Sequence, residues 1–353
     1  MTPTPRPTPR IDLLEPMAVI AGGELRLRGA GLHAAAQQPQ VRVGGMAVPL
    51  VAARESMVIA RVPEAAVSGR VEVEVSGAEP VEARASLEVG VQIAENLHPV
   101  CNPVLDAEGN IYATLSGARG QKTPVSIFKL DTNYTMKPWS SALTNPSGLA
   151  FDRRGVLYAS SRFDGSVYRM SANGSAALVA QGLGVATGIA FDGAGDLYVG
   201  DRSGTIFKID QTGNTFVFAT LESSVAAYHL AFGPDGNLYV TGPSTSSNDV
   251  VWRVNPQGAV TVHFPGLGRP QGLAFDVEGN LYVVASWRGW RGVLRLTPAG
   301  EANWAVSGQN LVGLAFAPAA AHGPAAGALV LATHTALYHL PWPVAGARLP
   351  PEN

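Results

Sequence analysis

Pro146-Ser-Gly-Leu-Ala-Phe-Asp152 followed by Gly155-Val-Leu-Tyr158 decides the fold, because the chain writes it again and again. Ala186-Thr-Gly-Ile-Ala-Phe-Asp192 precedes Gly195-Asp-Leu-Tyr198, and Pro270-Gln-Gly-Leu-Ala-Phe-Asp276 precedes Gly279-Asn-Leu-Tyr282. Looser copies are Ala227-Tyr-His-Leu-Ala-Phe232 with Gly236-Asn-Leu-Tyr239, and Leu311-Val-Gly-Leu-Ala-Phe316 with Ala328-Leu-Val-Leu331. The last follows an insertion rich in Ala, Gly and Pro. A degenerate first copy is Cys101-Asn-Pro-Val-Leu-Asp106 with Gly109-Asn-Ile-Tyr112. The repeated Phe stands at 151, 191, 232, 275 and 316, a period of 40 to 43. That period is the one of four-stranded propeller blades.

Each copy reads as one sheet. The Gly-Leu-Ala-Phe segment is the inner strand, and an Asp-x-x-Gly turn leads to the Leu-Tyr strand. A third strand of the Ile206-Phe-Lys-Ile209 type ends in a turn such as Asp210-Gln-Thr-Gly213, and an outer strand such as Thr215 to Ala219 follows. Glycine at the turn ends supplies the positive φ that such loops need. Six copies predict six blades over residues 91–340. The sixth has no outer strand after it, and Val91 to Leu97 matches the segments that precede other copies. Residues 91–97 are therefore expected to complete the last blade and close the ring, removing its exposed edge. Residues 341–353 are expected to be an irregular C-terminal tail.

Residues 11–90 carry a different pattern. Leu25-Arg26-Leu27-Arg28, Val41-Arg42-Val43 and Val71-Glu72-Val73-Glu74-Val75 alternate with period two, the mark of strands with one buried face. Six or seven such strands predict a small immunoglobulin-like β-sandwich. Its charged positions form a solvated face and contain no catalytic pairing. Met1 to Arg10 alternates Thr, Pro and Arg and is expected to be a disordered Pro-rich tail. The fold class is all-β.

Composition narrows the function. The 353 residues carry 25 Lys+Arg against 27 Asp+Glu, a formal charge of −2, which argues against a nucleic-acid binder. Gly (40) and Pro (26) are roughly a fifth of the chain, favouring turns over long helices. The single cysteine, Cys101, excludes an intrachain disulfide and a four-cysteine metal site. No membrane span is present, since no apolar run approaches 18 residues. Met1 to Arg10 lacks the apolar core of a signal peptide; the protein is secreted or periplasmic if a signal has been removed, otherwise cytoplasmic.

The repeat resembles the NHL-repeat propellers, is similar to the gluconolactonase/regucalcin family, and more distantly resembles streptogramin lyases. The resemblance covers residues 91–340. Residues 11–90 resemble the IPT/TIG family through Pro16, Gly22-Gly23, Leu25, Leu27, Gly29, Gly31, Leu32, Val41, Val43 and Gly44, which implies a spacer or interaction module. The lactonase resemblance implies a divalent metal at one mouth of the channel, held by a glutamate, an asparagine and an aspartate. The matching positions, near Cys101, Ser147 and Thr187 or Gln271, are not carboxylates, so no residue is assigned to metal. A likeness to peptidyl-hydroxyglycine lyases implies the alternative of zinc on His229, His334 and His98.

The site is expected where residues preceding each inner strand converge with the loops after each second strand. Polar positions there vary between copies while the frame stays constant, as in a binding site. Asn102, Ser147, Thr187, Asp201, Gln271, Trp287, Arg288 and His334 are the expected ligand contacts. If the site is catalytic, His229 is the general base, with Tyr228 or Arg162 stabilising negative charge. Cys101 is read as a buried, inert thiol. The function expected is binding of a small molecule, glycan or peptide at the channel mouth, the sandwich serving as spacer or dock for a protein partner. The alternative is a gluconolactonase-like hydrolase or streptogramin-lyase-like lyase acting on a lactone or related molecule; a structural interaction protein is the third reading. No cofactor is expected, the alternative being one calcium or zinc ion in the channel; the chain is expected to be a monomer. A fragment begun at residue 100 is expected to melt well below one begun at 91, and equal melting temperatures would count against the closing role of 91–97.

Overall fold

The computed structural model describes residues 7–34, 37–246, 248–317 and 327–347. Every regular element among them is a strand, and no helix is long and apolar enough to cross a membrane. The chain divides into two compact units. One comprises Met1–Val91, Trp290–Leu294 and Asn303–Gln309; the other comprises Gln92–Gly289, Arg295–Ala302 and Asn310–Asn353.

The alternating N-terminal segments build two antiparallel four-stranded sheets. Arg10–Glu15, Glu24–Ala30, Met57–Arg61 and Leu50–Arg54 form one, in that order; Met46–Val48, Gln40–Val43, Val71–Glu74 and Val81–Glu82 form the other. Leu25, Leu27, Val41, Val43, Val58, Val71 and Val73 are buried in one shared core, while Arg28 and Glu74 point outward. Each fully buried Leu or Val contributes about 1.5–3 kcal/mol. The described residues 10–89 hold ten strands, eight of them in these two sheets, where six or seven were expected, and Arg10 opens the first of them instead of ending a tail. Within this unit Val19 also pairs in parallel with Val89 and with Ser307.

Among the described residues the repeats form five four-stranded sheets, and the four strands of the fifth repeat, Leu273–Phe275, Leu281–Trp287, Trp290–Leu296 and Ala302–Ser307, are part of a six-stranded one, an arrangement consistent with a β-propeller. The second runs Pro146–Phe151, Leu157–Ser161, Ser166–Met170 and Ala176–Ala180; the third runs Ala186–Phe191, Leu197–Asp201, Thr205–Ile209 and Thr215–Thr220. The sixth runs Leu311–Ala317, Gly327–Thr333, Ala336–Trp342 and Val91–Glu95, so its fourth strand comes from the start of the region. Tyr338 donates its hydroxyl hydrogen to Gln92 Oε1 at 3.1 Å across that pairing. The inner strand Leu311–Ala317 lies beside the first inner strand, Val104–Leu105.

The repeated residues now have physical roles. In the turns after the first five inner strands an aspartate accepts backbone N–H bonds: Asp192 Oδ1 takes those of Ala194 and Asp196, both at 2.9 Å. Gly195 completes the turn at φ +94°, where a side chain would be strained. The other carboxylate oxygen of Asp192 accepts the Tyr198 hydroxyl at 3.1 Å. The ring of that tyrosine receives the edge of the next repeat's Phe232, with centroids 4.9 Å apart and planes at 69°. Tyr112–Phe151, Tyr158–Phe191, Tyr239–Phe275 and Tyr282–Phe316 repeat the contact at 4.9 to 5.5 Å. Such pairs add about 0.5–1.5 kcal/mol beyond their buried area. Between the sixth and first repeats, Val330 and Leu105 stand in these places, in a cluster with Leu97 and Ile111.

The C-terminal segment departs from the expectation of an irregular tail. The last strand runs to Trp342, and the chain then returns to the fifth inner strand. Val277 N–H donates to Ala345 O at 3.0 Å and Ala347 N–H to Phe275 O at 2.9 Å. Residues 348–353, and the insertion at 318–326, lie outside the described residues.

Phe191→Ala should lower the unfolding free energy by about 3–5 kcal/mol, as for a buried aromatic, whereas Phe216→Ala, on a half-exposed ring of an outer strand, should change it by less than about 0.5 kcal/mol. Urea denaturation of the two variants checks the difference.

Candidate functional site

The inner strands approach one another closely because most carry glycine at one position: Gly148, Gly188, Gly272 and Gly313. A Cβ at Gly188 would run into the carbonyl oxygen of Tyr228, and one at Gly148 into that of Thr187. In the first and fourth repeats Asn102 and His229 occupy this place, so the ring of glycines is broken twice. Asn102 uses its side chain as a tie. Its Nδ2 donates to Leu273 O at 2.9 Å, and its Oδ1 accepts Leu314 N–H at 3.2 Å, joining the first, fifth and sixth sheets. Beside it the Cys101 thiol donates to Tyr228 O at 3.8 Å, three sheets away. The lumen is bridged at this level.

On one side of the bridge lies a cavity of about 1230 Å³ bounded by all six inner strands. Its floor holds Cys101, Asn102 and His229. Its walls are the Leu, Ala and Phe of the repeat, with Ala150, Ala231, Ala274 and Ala315 partly exposed. Its rim is formed by turns that follow the inner strands, chiefly Asp106, Asp152, Arg153, Arg154 and Val277, with Ala345 to Ala347 laid along it. The opening thus faces the opposite end from the one expected. Of the expected site residues only Asn102 and His229 line the cavity.

The remaining expected residues are placed as follows. Tyr228 is buried, 1% exposed; its N–H donates to Thr187 Oγ1 at 3.0 Å and its hydroxyl to Glu222 O. Burial raises its pKa, with Glu222 and Asp201 adding to the rise. It is a packing residue between repeats and not a group at a mouth. Thr187 donates to Gly200 O at 2.9 Å. Asp201 is buried and caps its loop, accepting Val185 N–H at 2.7 Å and the Ser203 hydroxyl. Gln271 gives its N–H to Val284 O at 2.8 Å, and its carbonyl accepts the Thr241 hydroxyl. Ser147 is fully buried and its Oγ finds no hydrogen-bond partner among the described residues. Arg162 donates to Gly117 O at 3.1 Å; burial lowers its pKa. The Arg288 guanidinium lies 4.2 Å over the Trp287 ring, so that indole face is already covered. His334 is exposed, and its pKa is lowered by partial burial and then by neighbouring His98 and Arg269.

His229 is the chemically distinctive group. It is 2% exposed, its Nδ1 has no hydrogen-bond partner among the described residues, and burial pushes its pKa down to about 3. Burial pushes the Cys101 thiol up to about 12, against a smaller opposing pull from Arg162. At neutral pH the floor therefore presents a neutral imidazole and an intact thiol, suited to hydrogen bonding. No group of three His, Cys, Asp or Glu converges among the described residues. His98 is near enough to His334 to help lower its pKa, while His229 is lowered by burial alone.

Sequence reasoning missed Arg153, Arg154 and the C-terminal segment. A signal for the arginines was present: the two places after the turn aspartate hold Ala-Glu, Gly-Ala and Val-Glu in the first, third and fifth repeats, and Arg-Arg in the second.

No protein-family model and no curated protein matches this sequence. Solved structures do resemble the fold. A gluconolactonase from Xanthomonas campestris is 17% identical with a TM-score of 0.55, over 72% of this chain and 89% of that one. An auxiliary nutrient binding protein from Bacteroides ovatus is 13% identical with a TM-score of 0.54, over 96% of this chain and 100% of that one. Virginiamycin B lyase from Staphylococcus aureus is 13% identical with a TM-score of 0.50, over 71% and 97%. At these identities the likeness is one of fold alone.

The buried imidazole makes stability depend on pH. Its folded pKa of about 3 lies below the ordinary 6.5, so below pH 6.5 the unfolded chain binds a proton that the folded one refuses. Stability is fully present above pH 6.5 and falls as pH drops toward 3, by at most about 1.4 kcal/mol per unit. Denaturant titrations at pH 7 and pH 4 should show wild type losing about 2–3 kcal/mol more than His229→Gln.

Proposed function

We propose that this chain is a binding protein that takes a small, largely apolar molecule into the cavity between the inner strands. The observation carrying this reading is an apolar-walled cavity of about 1230 Å³ lined at its floor by His229, whose buried Nδ1 has no hydrogen-bond partner among the described residues. Cavities with apolar walls and a few convergent polar groups are the usual form of small-molecule sites. The six sheets are read as a closed six-bladed propeller, with Val91–Glu95 joining its ends, and the N-terminal sheets as an immunoglobulin-like spacer or dock for a protein partner. The hydrolase or lyase reading rests on fold likeness and has weaker support: His229 is a poor base with its pKa near 3, and Tyr228 and Arg162 do not line the cavity with it.

Titration with N-phenyl-1-naphthylamine, a neutral probe that fluoresces in apolar surroundings, tests the reading. One probe should bind per chain. Binding should weaken at least tenfold in Ala274→Phe, which fills the wall, and in Val277→Trp, which narrows the rim from an exposed position. Absence of saturable binding, or unchanged binding in both variants with melting temperatures near wild type, would overturn it.

A further inference from the structure

We infer that the molecule held in this cavity is an amphipathic organic anion, bound with its charged head at the rim beside Arg153 and Arg154 and its apolar body directed toward His229. The inference rests on the binding reading above and adds the ligand's chemical class and direction.

Three observations carry it. Arg153 lines the rim, and its Nε is buried without a hydrogen-bond partner among the described residues. No carboxylate lies within ion-pair distance of Arg153 or Arg154 among those residues, although six other cations are so paired. The two carboxylates that share the rim accept hydrogen bonds within their own turns and pair with neither guanidinium. Asp152 Oδ1 accepts the N–H groups of Arg154 and Val156, both at 2.9 Å. Asp106 accepts from Asn110 and from the Tyr112 hydroxyl, and it pairs with Lys129 at 3.7 Å. The side chains of two consecutive arginines at the rim thus retain donors for an outside acceptor.

Chemistry then gives direction. A desolvated guanidinium nitrogen is costly unless an acceptor meets it, and the planar fork of arginine matches a carboxylate or phosphate. Below the rim the walls offer leucine, alanine and phenylalanine for about four strand residues, or about 13 Å, which suits an alkyl or aryl body. At the floor the imidazole of His229 is neutral, so charge is concentrated at the rim end alone.

Displacement of N-phenyl-1-naphthylamine by three competitors tests the inference: decanoate, decyl phosphate and 1-decanol, which share one tail. In wild type at least one of the two anions should displace the probe at a tenfold or more lower concentration than decanol, and which does so separates a carboxylate from a phosphate ligand. In the Arg153→Gln/Arg154→Gln double variant that preference, read against decanol in the same variant, should fall to within about twofold. Equal displacement by decanol and both anions in wild type would overturn the anion assignment and leave the cavity reading intact. So would a preference that survives in the double variant. Failure of the neutral probe itself to bind would overturn both.

Discussion

The edge-to-face contact between the tyrosine of one repeat and the phenylalanine of the next is the interaction on which the larger unit depends. A four-stranded sheet cannot bury both faces alone, so each must be held to its neighbours. The tyrosine does this with two ends: its ring takes the phenylalanine edge, and its hydroxyl is held by the turn aspartate in the Tyr112, Tyr198 and Tyr239 repeats. One residue thereby ties a turn, a strand and the next sheet. Five junctions use this device, and the sixth, where Val330 meets Leu105, uses aliphatic packing.

Holding six sheets at that distance brings their inner strands together, and glycine is what the approach demands. Where the repeat departs from glycine, the side chain must go somewhere. Asn102 becomes a hydrogen-bonded tie across three sheets; His229 becomes a buried imidazole whose Nδ1 has no partner among the described residues. The same scaffold constraint thus produces a structural residue in one repeat and a candidate ligand contact in another. The difference lies in which neighbouring carbonyl or N–H is within reach.

The Cys101–Tyr228 contact lies at the floor of the cavity, whose other lining residues run toward the aspartate turns. Several of the polar residues expected at the other end serve as caps and ties for loops. Burial has opposite effects on the two titratable groups at the floor. It keeps the imidazole unprotonated and the thiol protonated, since both shifts disfavour charge in a site short of water.

The architecture was legible in the sequence because a packing rule repeated every 40 to 43 residues leaves the same letters each time. The strands, the turns and the partner strand at Val91–Glu95 all follow from local chemistry, alternation and glycine placement. The location of the site was not legible. Ser147, Thr187 and Tyr228 vary between repeats as ligand contacts would, but they vary because each meets a different neighbouring sheet. Whether a polar side chain spends its hydrogen bonds inside the protein or offers them outward depends on atoms brought near from distant repeats. Only the tertiary structure decided that Asp201 is a loop cap, that Tyr228 is a wedge, and that His229, Arg153 and Arg154 lie along one cavity, because that outcome is set by distances between sheets that no single repeat encodes.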